Sequence, residues 1–252
     1  MVYRPFAALT AALFLSFAAL SQEKAGDLLD KIYGPTAERP NAYTFEQVIH
    51  YDLVQRIAGG EGQPPRTIEG AMALYFTPGD SAYGRVVETG ETTLISIGDL
   101  STGKRYSLSD LGVAKVGTES AISVRMADTL QMSRVSGDRD IEGRMSAHYW
   151  YENGTRIDEL WADSQASAEE VAISRLWPQF EPGFRSLATG TYEGLATRWI
   201  AIDTEFSRDP RIVLQFKGVE VLDKPIEISM LGYVFPVSES EMMRRRLDAD
   251  RQ

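Results

Sequence analysis

Cysteine is absent from all 252 residues. That excludes disulfides, thiolate metal sites, thiol nucleophiles and anchoring by an acylated cysteine, so the fold must hold by core burial. A chain of this size can do so, because it buries roughly 70% of its unfolded surface. Histidine is scarce: only His50 and His148. Two imidazoles cannot build a three-histidine metal site, and no H-E-x-x-H spacing occurs. Each falls on the polar side of an expected strand, where a solvated surface histidine is the simpler reading. No G-x-S-x-G elbow and no Gly-rich loop between a strand and a helix is present, which removes the readable serine-hydrolase and phosphate-binding signatures. The sequence therefore names no catalytic residue, no metal ligand and no cofactor.

Positive charge is also short. The net charge is −10, and it becomes −11 once Arg4 is removed with residues 1–21. An acidic chain repels phosphate backbones and anionic lipid surfaces, so nucleic acid is not an expected partner. The run at residues 6–20 (FAALTAALFLSFAAL) follows a start bearing Arg4 and ends in Ala19-Leu20-Ser21. It is shorter than the ~20 residues needed to span a bilayer and has small residues at the cleavage positions. We read 1–21 as a cleavable signal peptide cut after Ser21. The mature chain is then periplasmic or secreted in a bacterium, with no stable membrane span. Residues 22–236 read as a single domain, and 237–252 as a helical tail.

Within that domain the dominant period is two. Tyr43, Phe45, Ile49, Tyr51 and Leu53 alternate with mostly polar neighbours, and after the loop 59–65 Ile68, Met72, Leu74 and Phe76 alternate with Thr67, Glu69, Ala71, Ala73 and Tyr75. This predicts a long hairpin. Shorter strands are expected at 83–88, 92–97 and 104–108, while 99–140 is otherwise hard to read. Residues 140–151 and 155–162 read as two strands joined at Asn153-Gly154, which suits a type I′ turn. Three closing strands, 197–206, 211–221 and 226–234, are expected as a meander with turns at Asp209-Pro210 and Asp223-Lys224-Pro225. Helices are few. One is expected at 23–33. A second starts at the capping box Ser167-x-x-Glu170 and ends before Pro178, and a third begins at Ser238. The fold class is mainly β with a few helices (α+β), built on an antiparallel sheet.

Carboxylates give no paired site. Asp158 and Glu159 are neighbours on a strand and face opposite ways, and Asp138 and Asp140 suit a wet strand edge. What remains is apolar. Phe45, Ile49, Met72, Leu74 and Phe76 come from the long hairpin. Met145, Trp161, Ile200, Ile202, Leu214, Phe216 and Met230 come from later strands. They either fill a core or line a cavity for a hydrophobic ligand, and spacing does not separate the two.

The stretch Ile141-Glu142-Gly143-Arg144-Met145-Ser146-Ala147-His148-Tyr149, the turn Glu152-Asn153-Gly154, the segment Glu159-Leu160-Trp161-Ala162-Asp163 and Gly194-Leu195 resemble the core motif of a secreted bacterial family of unknown function. The resemblance covers residues 132–234, and over 22–100 only the order of elements agrees. This chain has Ser146 where that family often has cysteine, which excludes a thiol role. The family in turn resembles the periplasmic lipoprotein carriers (LolA-like and LppX-like folds). The resemblance implies a strongly curved, incompletely closed antiparallel sheet, an open barrel wrapped over helices. It also implies non-catalytic binding of a lipid or acyl-chain ligand, as carrier or sensor. An envelope protein–protein interaction module with a filled core is the alternative, and a hydrolase with an unrecognised site the third.

Overall fold

The computed structural model describes residues 39–57, 64–90, 92–110, 115–122, 129–205 and 210–235. The signal segment, the helix expected at 23–33, most of the loop 59–65 and the tail helix lie outside these residues.

Alternation drives the architecture. Strands β1 (Ala42–Ile57) and β2 (Arg66–Phe76) pair as the expected long hairpin, from Gln47–Phe76 to Ile57–Arg66. Next come β3 (Ala82–Thr89), β4 (Thr92–Asp99), β5 (Lys104–Asp110) and β6 (Lys115–Ala121), each antiparallel to its predecessor. The chain then passes to the far edge of the sheet. There β7 (Ser133–Ile141), β8 (Arg144–Asn153) and β9 (Arg156–Asp163) follow. After a helical segment, β10 (Leu195–Asp203) and β11 (Pro210–Ser229) bring the chain back beside β1. The result is one antiparallel sheet of eleven strands, ordered β6-β5-β4-β3-β2-β1-β11-β10-β9-β8-β7. Its ends β6 and β7 do not pair, so it is not closed into a barrel.

Three expectations need correction. First, residues 140–151 are not one strand. Glu142 and Gly143 both take positive φ, 51° and 78°, and make the two-residue turn between β7 and β8. That is the I′ signature. Asp140 Oδ1 accepts the Gly143 amide at 3.0 Å and fixes the turn. Second, the turn after β8 is of another type. Asn153 pairs with Arg156, and Gly154 holds the positive φ of 60° at the first central position, the II′ arrangement. Third, residues 211–221 and 226–229 are one strand, not two arms of a hairpin. Both stretches pair with β1, with a bulge where residues 222–225 stand opposite Glu46. Proline has no N–H to give to a ladder, and Pro225 is accommodated inside that bulge.

The helical segment runs α1 (Ala168–Leu176), two 3₁₀ turns at Trp177–Phe180 and Pro182–Phe184, then α2 (Arg185–Thr189). The capping box at its start is formed: Ser167 Oγ accepts from the Glu170 amide at 3.2 Å, and Glu170 Oε2 accepts from the Ser167 amide at 3.0 Å. Ile173, Trp177, Phe184 and Leu187 of this segment pack on Met72, Leu74, Val87, Leu160, Trp199, Leu214 and Phe216 of the sheet. On the opposite face, Phe45, Ile97, Tyr106, Leu108, Ile228 and Met230 form a second cluster with Tyr75 and Val86. Val86 and Val87 alternate along β3, so the two clusters lie on opposite sides. The second is closed by the chain after β11. It crosses to β6, where the Gly117 amide donates to Val234 O at 2.8 Å and Phe235 joins the cluster. A third, smaller cluster joins Ile141, Trp161 and Ile200.

Candidate functional site

The apolar residues singled out by the sequence do not meet in one place. Ile49, Met72, Leu74, Phe76, Leu214 and Phe216 belong to the cluster under the helical segment. Phe45 and Met230 belong to the cluster on the other face, and Trp161 and Ile200, with partly buried Ile202, to the third. Met145 is 60% exposed. It stands two residues past the Glu142–Gly143 turn, before the ladder with β9 begins at Ala147. The candidate site is therefore the space between the sheet and the helical segment, to which six of the twelve contribute.

That space is held by apolar contacts, by two partly exposed arginine–carboxylate clamps and by a third clamp on an enclosed carboxylate. Trp177 and Phe184 have ring centroids 4.9 Å apart, and Phe184 and Trp199 5.3 Å apart. Tyr51 donates its hydroxyl to Ala196 O at 3.2 Å, and burial pushes its ionisation far up.

The first clamp is Arg144. Its guanidinium grips Glu170 of α1 through both oxygens, at 2.9 and 3.1 Å, and reaches Asp163 at 2.9 Å. Burial alone would lower the Arg144 pKa, but the two carboxylates raise it. Glu170 thus closes the capping box and ties α1 to β8. The second clamp joins Arg85 and Arg105 to Glu181. Arg85 Nη2 lies 2.9 Å from Glu181 Oε1, and Arg105 Nη2 pairs with the same oxygen. Arg105 Nη1 donates to Phe180 O at 2.8 Å. Burial, then Arg105 nearby, lowers the Arg85 pKa although Glu181 opposes them.

The third clamp is the most buried. Asp158 is fully enclosed and accepts from Arg156 Nε at 2.6 Å, Ser186 Oγ of α2 at 2.7 Å and Trp199 Nε1 at 2.9 Å. The segment then folds onto itself. Arg175 donates to Gly190 O and Tyr192 O and stacks over the Tyr192 ring, 3.4 Å from its centroid. Burial raises the Tyr192 pKa to about 12 against the pull of Arg175. Beside this end is a depression of about 430 Å³ lined by Arg134, Tyr149, Thr191, Tyr192 and Glu193.

Sequence reasoning missed the clamps, although one signal was present. Arg85 shares strand parity with Tyr83 and Val87, both buried, so a cation there had to point inward. The split of Asp158 and Glu159 to opposite sides is observed: Glu159 instead lies 3.0 Å from His148 Nε2. His148 stacks flat on Trp161, centroids 4.4 Å apart, and only 16% of its side chain is exposed. It is more covered than a surface histidine. His50 is more open and lies 3.5 Å from Glu220. Among the described residues, no group of three metal-ligating side chains occurs, and no helix is long and apolar enough to cross a membrane.

No family model matches the chain, and no curated protein matches it. Among solved structures it is similar to PNGF-II in two crystal forms. In the C2 form the TM-score is 0.39 at 9% identity, covering 80% of this chain and 33% of that one. In the P21 form it is 0.37 at 10% identity, covering 82% and 34%. The chain spans about a third of the length of that protein. A likeness this slight transfers neither fold nor activity.

Proposed function

We propose that this is an exported, non-catalytic envelope protein that takes a hydrophobic or lipid-like ligand between its sheet and its helical segment. In this reading the sheet curves around the helices in the manner of the periplasmic lipoprotein carriers, and the helical segment acts as a cap. The observation that supports it is the layout of the interface: aromatic and aliphatic contacts at the centre, with the partly exposed Arg144 and Arg85–Arg105 clamps beside them. Ligand pockets are generally apolar with a few placed polar groups. Side chains occupy this space in the free protein, so an acyl chain enters only as the cap shifts. Native mass spectrometry of protein purified from its own envelope tests the idea, together with titration of a fluorescent acyl probe. Co-purified acyl species and saturable probe binding support it. Absence of both overturns it.

A second reading, an interaction module with a filled core, is favoured by the packing itself. The six candidates under the cap are 0–4% exposed, whereas Met145, Val221 and Leu231 are 60%, 71% and 65% exposed. It predicts enrichment of one envelope protein in a pull-down, with no bound lipid, and loss of that protein on Val221→Glu.

A further inference from the structure

Two guanidinium groups meet one carboxylate where β3 and β5 face the cap. Tyr83, Gly98 and Arg105 lie in one row across β3, β4 and β5, and Arg85 and Ser96 in the next. Gly98 leaves room for the Tyr83 ring: a Cβ there would come within 2.2 Å of it. Tyr83 in turn stacks on Phe180 of the cap, 6.2 Å between centroids and 11° between planes. The two arginines reach past this stack to Glu181, and Arg85 Nη2 also lies 3.5 Å from Ser96 Oγ. Among the described residues, Glu181 is the carboxylate that pairs with either arginine.

The charge does not balance. Two cations converge on one oxygen of a single anion, and the Arg105 Nε–H is buried without an acceptor. The group is not sealed: the Arg85, Arg105 and Glu181 side chains are 10%, 21% and 20% exposed. Guanidinium pairs of this kind bind carboxylate and phosphate with charge-assisted hydrogen bonds. The anion that occupies the seat here belongs to the segment covering the apolar interior. An incoming anion that took Glu181's place would free Glu181 and the Phe180 carbonyl together, at the point where the cap meets β3 and β5.

We infer that Arg85 and Arg105 are the seat for the anionic headgroup of an amphiphilic ligand, a carboxylate or phosphate, and that Glu181 fills it in the free protein as a latch. The inference rests on the ligand-binding reading above. The ligand's chain would run under the cap toward Val87, Met72 and Leu74, and its headgroup would remain at the partly open margin.

The test uses the mature chain and three probes of equal chain length: dodecanoate, dodecyl phosphate and dodecanol. Binding is measured calorimetrically below the concentration at which each self-associates. Both anions are expected to bind at least about tenfold tighter than dodecanol, the scale of one or two charge-assisted hydrogen bonds. A preference for one anion over the other then identifies the headgroup. Glu181→Gln should tighten both anions several-fold and leave dodecanol unchanged, and Arg105→Gln should abolish the preference. If all three probes bind alike, or Glu181→Gln leaves the anions unchanged, the headgroup seat is refuted while the ligand-binding reading stands. If none binds, both fall. Circular dichroism confirms that each variant is folded, and Glu181→Gln decides alone if Arg105→Gln is not.

Discussion

Replacing Asp158 should cost this protein a large part of its stability, and the size of the loss follows from its three partners. Asp158→Ala removes the acceptor of the Trp199 Nε1–H, in a side chain with no exposure, and of the Ser186 hydroxyl, which is 2% exposed. An orphaned buried donor costs about 1–3 kcal/mol. The serine can rotate and recover part of this, whereas the indole cannot. Arg156 adds little, because 43% of its side chain is exposed and water can take its charge. The sum is about 3 kcal/mol, below the full penalty of breaking a wholly buried ion pair. In a domain this large each kcal/mol moves Tm by roughly 2–4 °C, so thermal unfolding should fall by roughly 6–12 °C. Asp158→Asn keeps an acceptor for the indole and should lose less than half as much. Trp199→Phe removes the same hydrogen bond from the other side. The two changes together should therefore be less costly than their sum by about 1 kcal/mol or more. A Tm within ~2 °C of wild type for Asp158→Ala, or strict additivity with Trp199→Phe, would refute the view that Asp158 anchors α2 to the sheet.

Three further outcomes are expected. Gly194→Ala should destabilise by roughly 3 kcal/mol in urea unfolding, because Gly194 has φ +94° and a Cβ would sit 2.0 Å from Asp163 O. Ser167→Ala should lower stability by about 1 kcal/mol in the same assay, the usual worth of a helix N-cap. The pH dependence should show two edges. On the acid side, burial raises the Asp99 and Glu119 pKa values. Hydrogen bonds from Ser101, Tyr43 and Thr102 to Asp99, and from Lys104 and Arg39 to Glu119, outweigh it and depress both. Their stabilisation is complete above the unfolded values near ~4 and is lost as pH falls through the lower folded ones. On the alkaline side, burial raises Tyr51, Tyr83 and Tyr192, the last to about 12. Their contribution is complete below an unfolded value of ~10 and is lost progressively as pH rises from there through the raised folded values, so tyrosinate absorbance should rise together with loss of ellipticity.

Much of the sheet was legible because alternation is local. The β1–β2 hairpin, the position of the β8–β9 hairpin and the capped helix at 168–176 follow from strand parity, turn residues and the Ser167–Glu170 spacing. Turn chemistry was the weaker guide. Asn153-Gly154 and Glu142-Gly143 are both turns, and it is the second that has positive φ at both central residues, with Asp140 accepting the Gly143 amide. Pro225 looked like a strand end because a bulge depends on the partner strand, which lies far away in sequence. The clamps were the least legible. Arg105 and Glu181 are 76 positions apart, and nothing local marks them as partners.

The pairing of β1 with β11 makes the first strand of the described residues wait for the last. Ala42 meets Ser229 in that seam, so one rail of β1 lacks its neighbour until almost the whole described chain has been made. Until then β1 presents a long row of unpaired amides and carbonyls, a template for foreign strands. Such distant pairings also slow folding. Refolding should accordingly be slow and concentration-sensitive, and shortening the chain to end before Pro210 should yield aggregates instead of a smaller sheet.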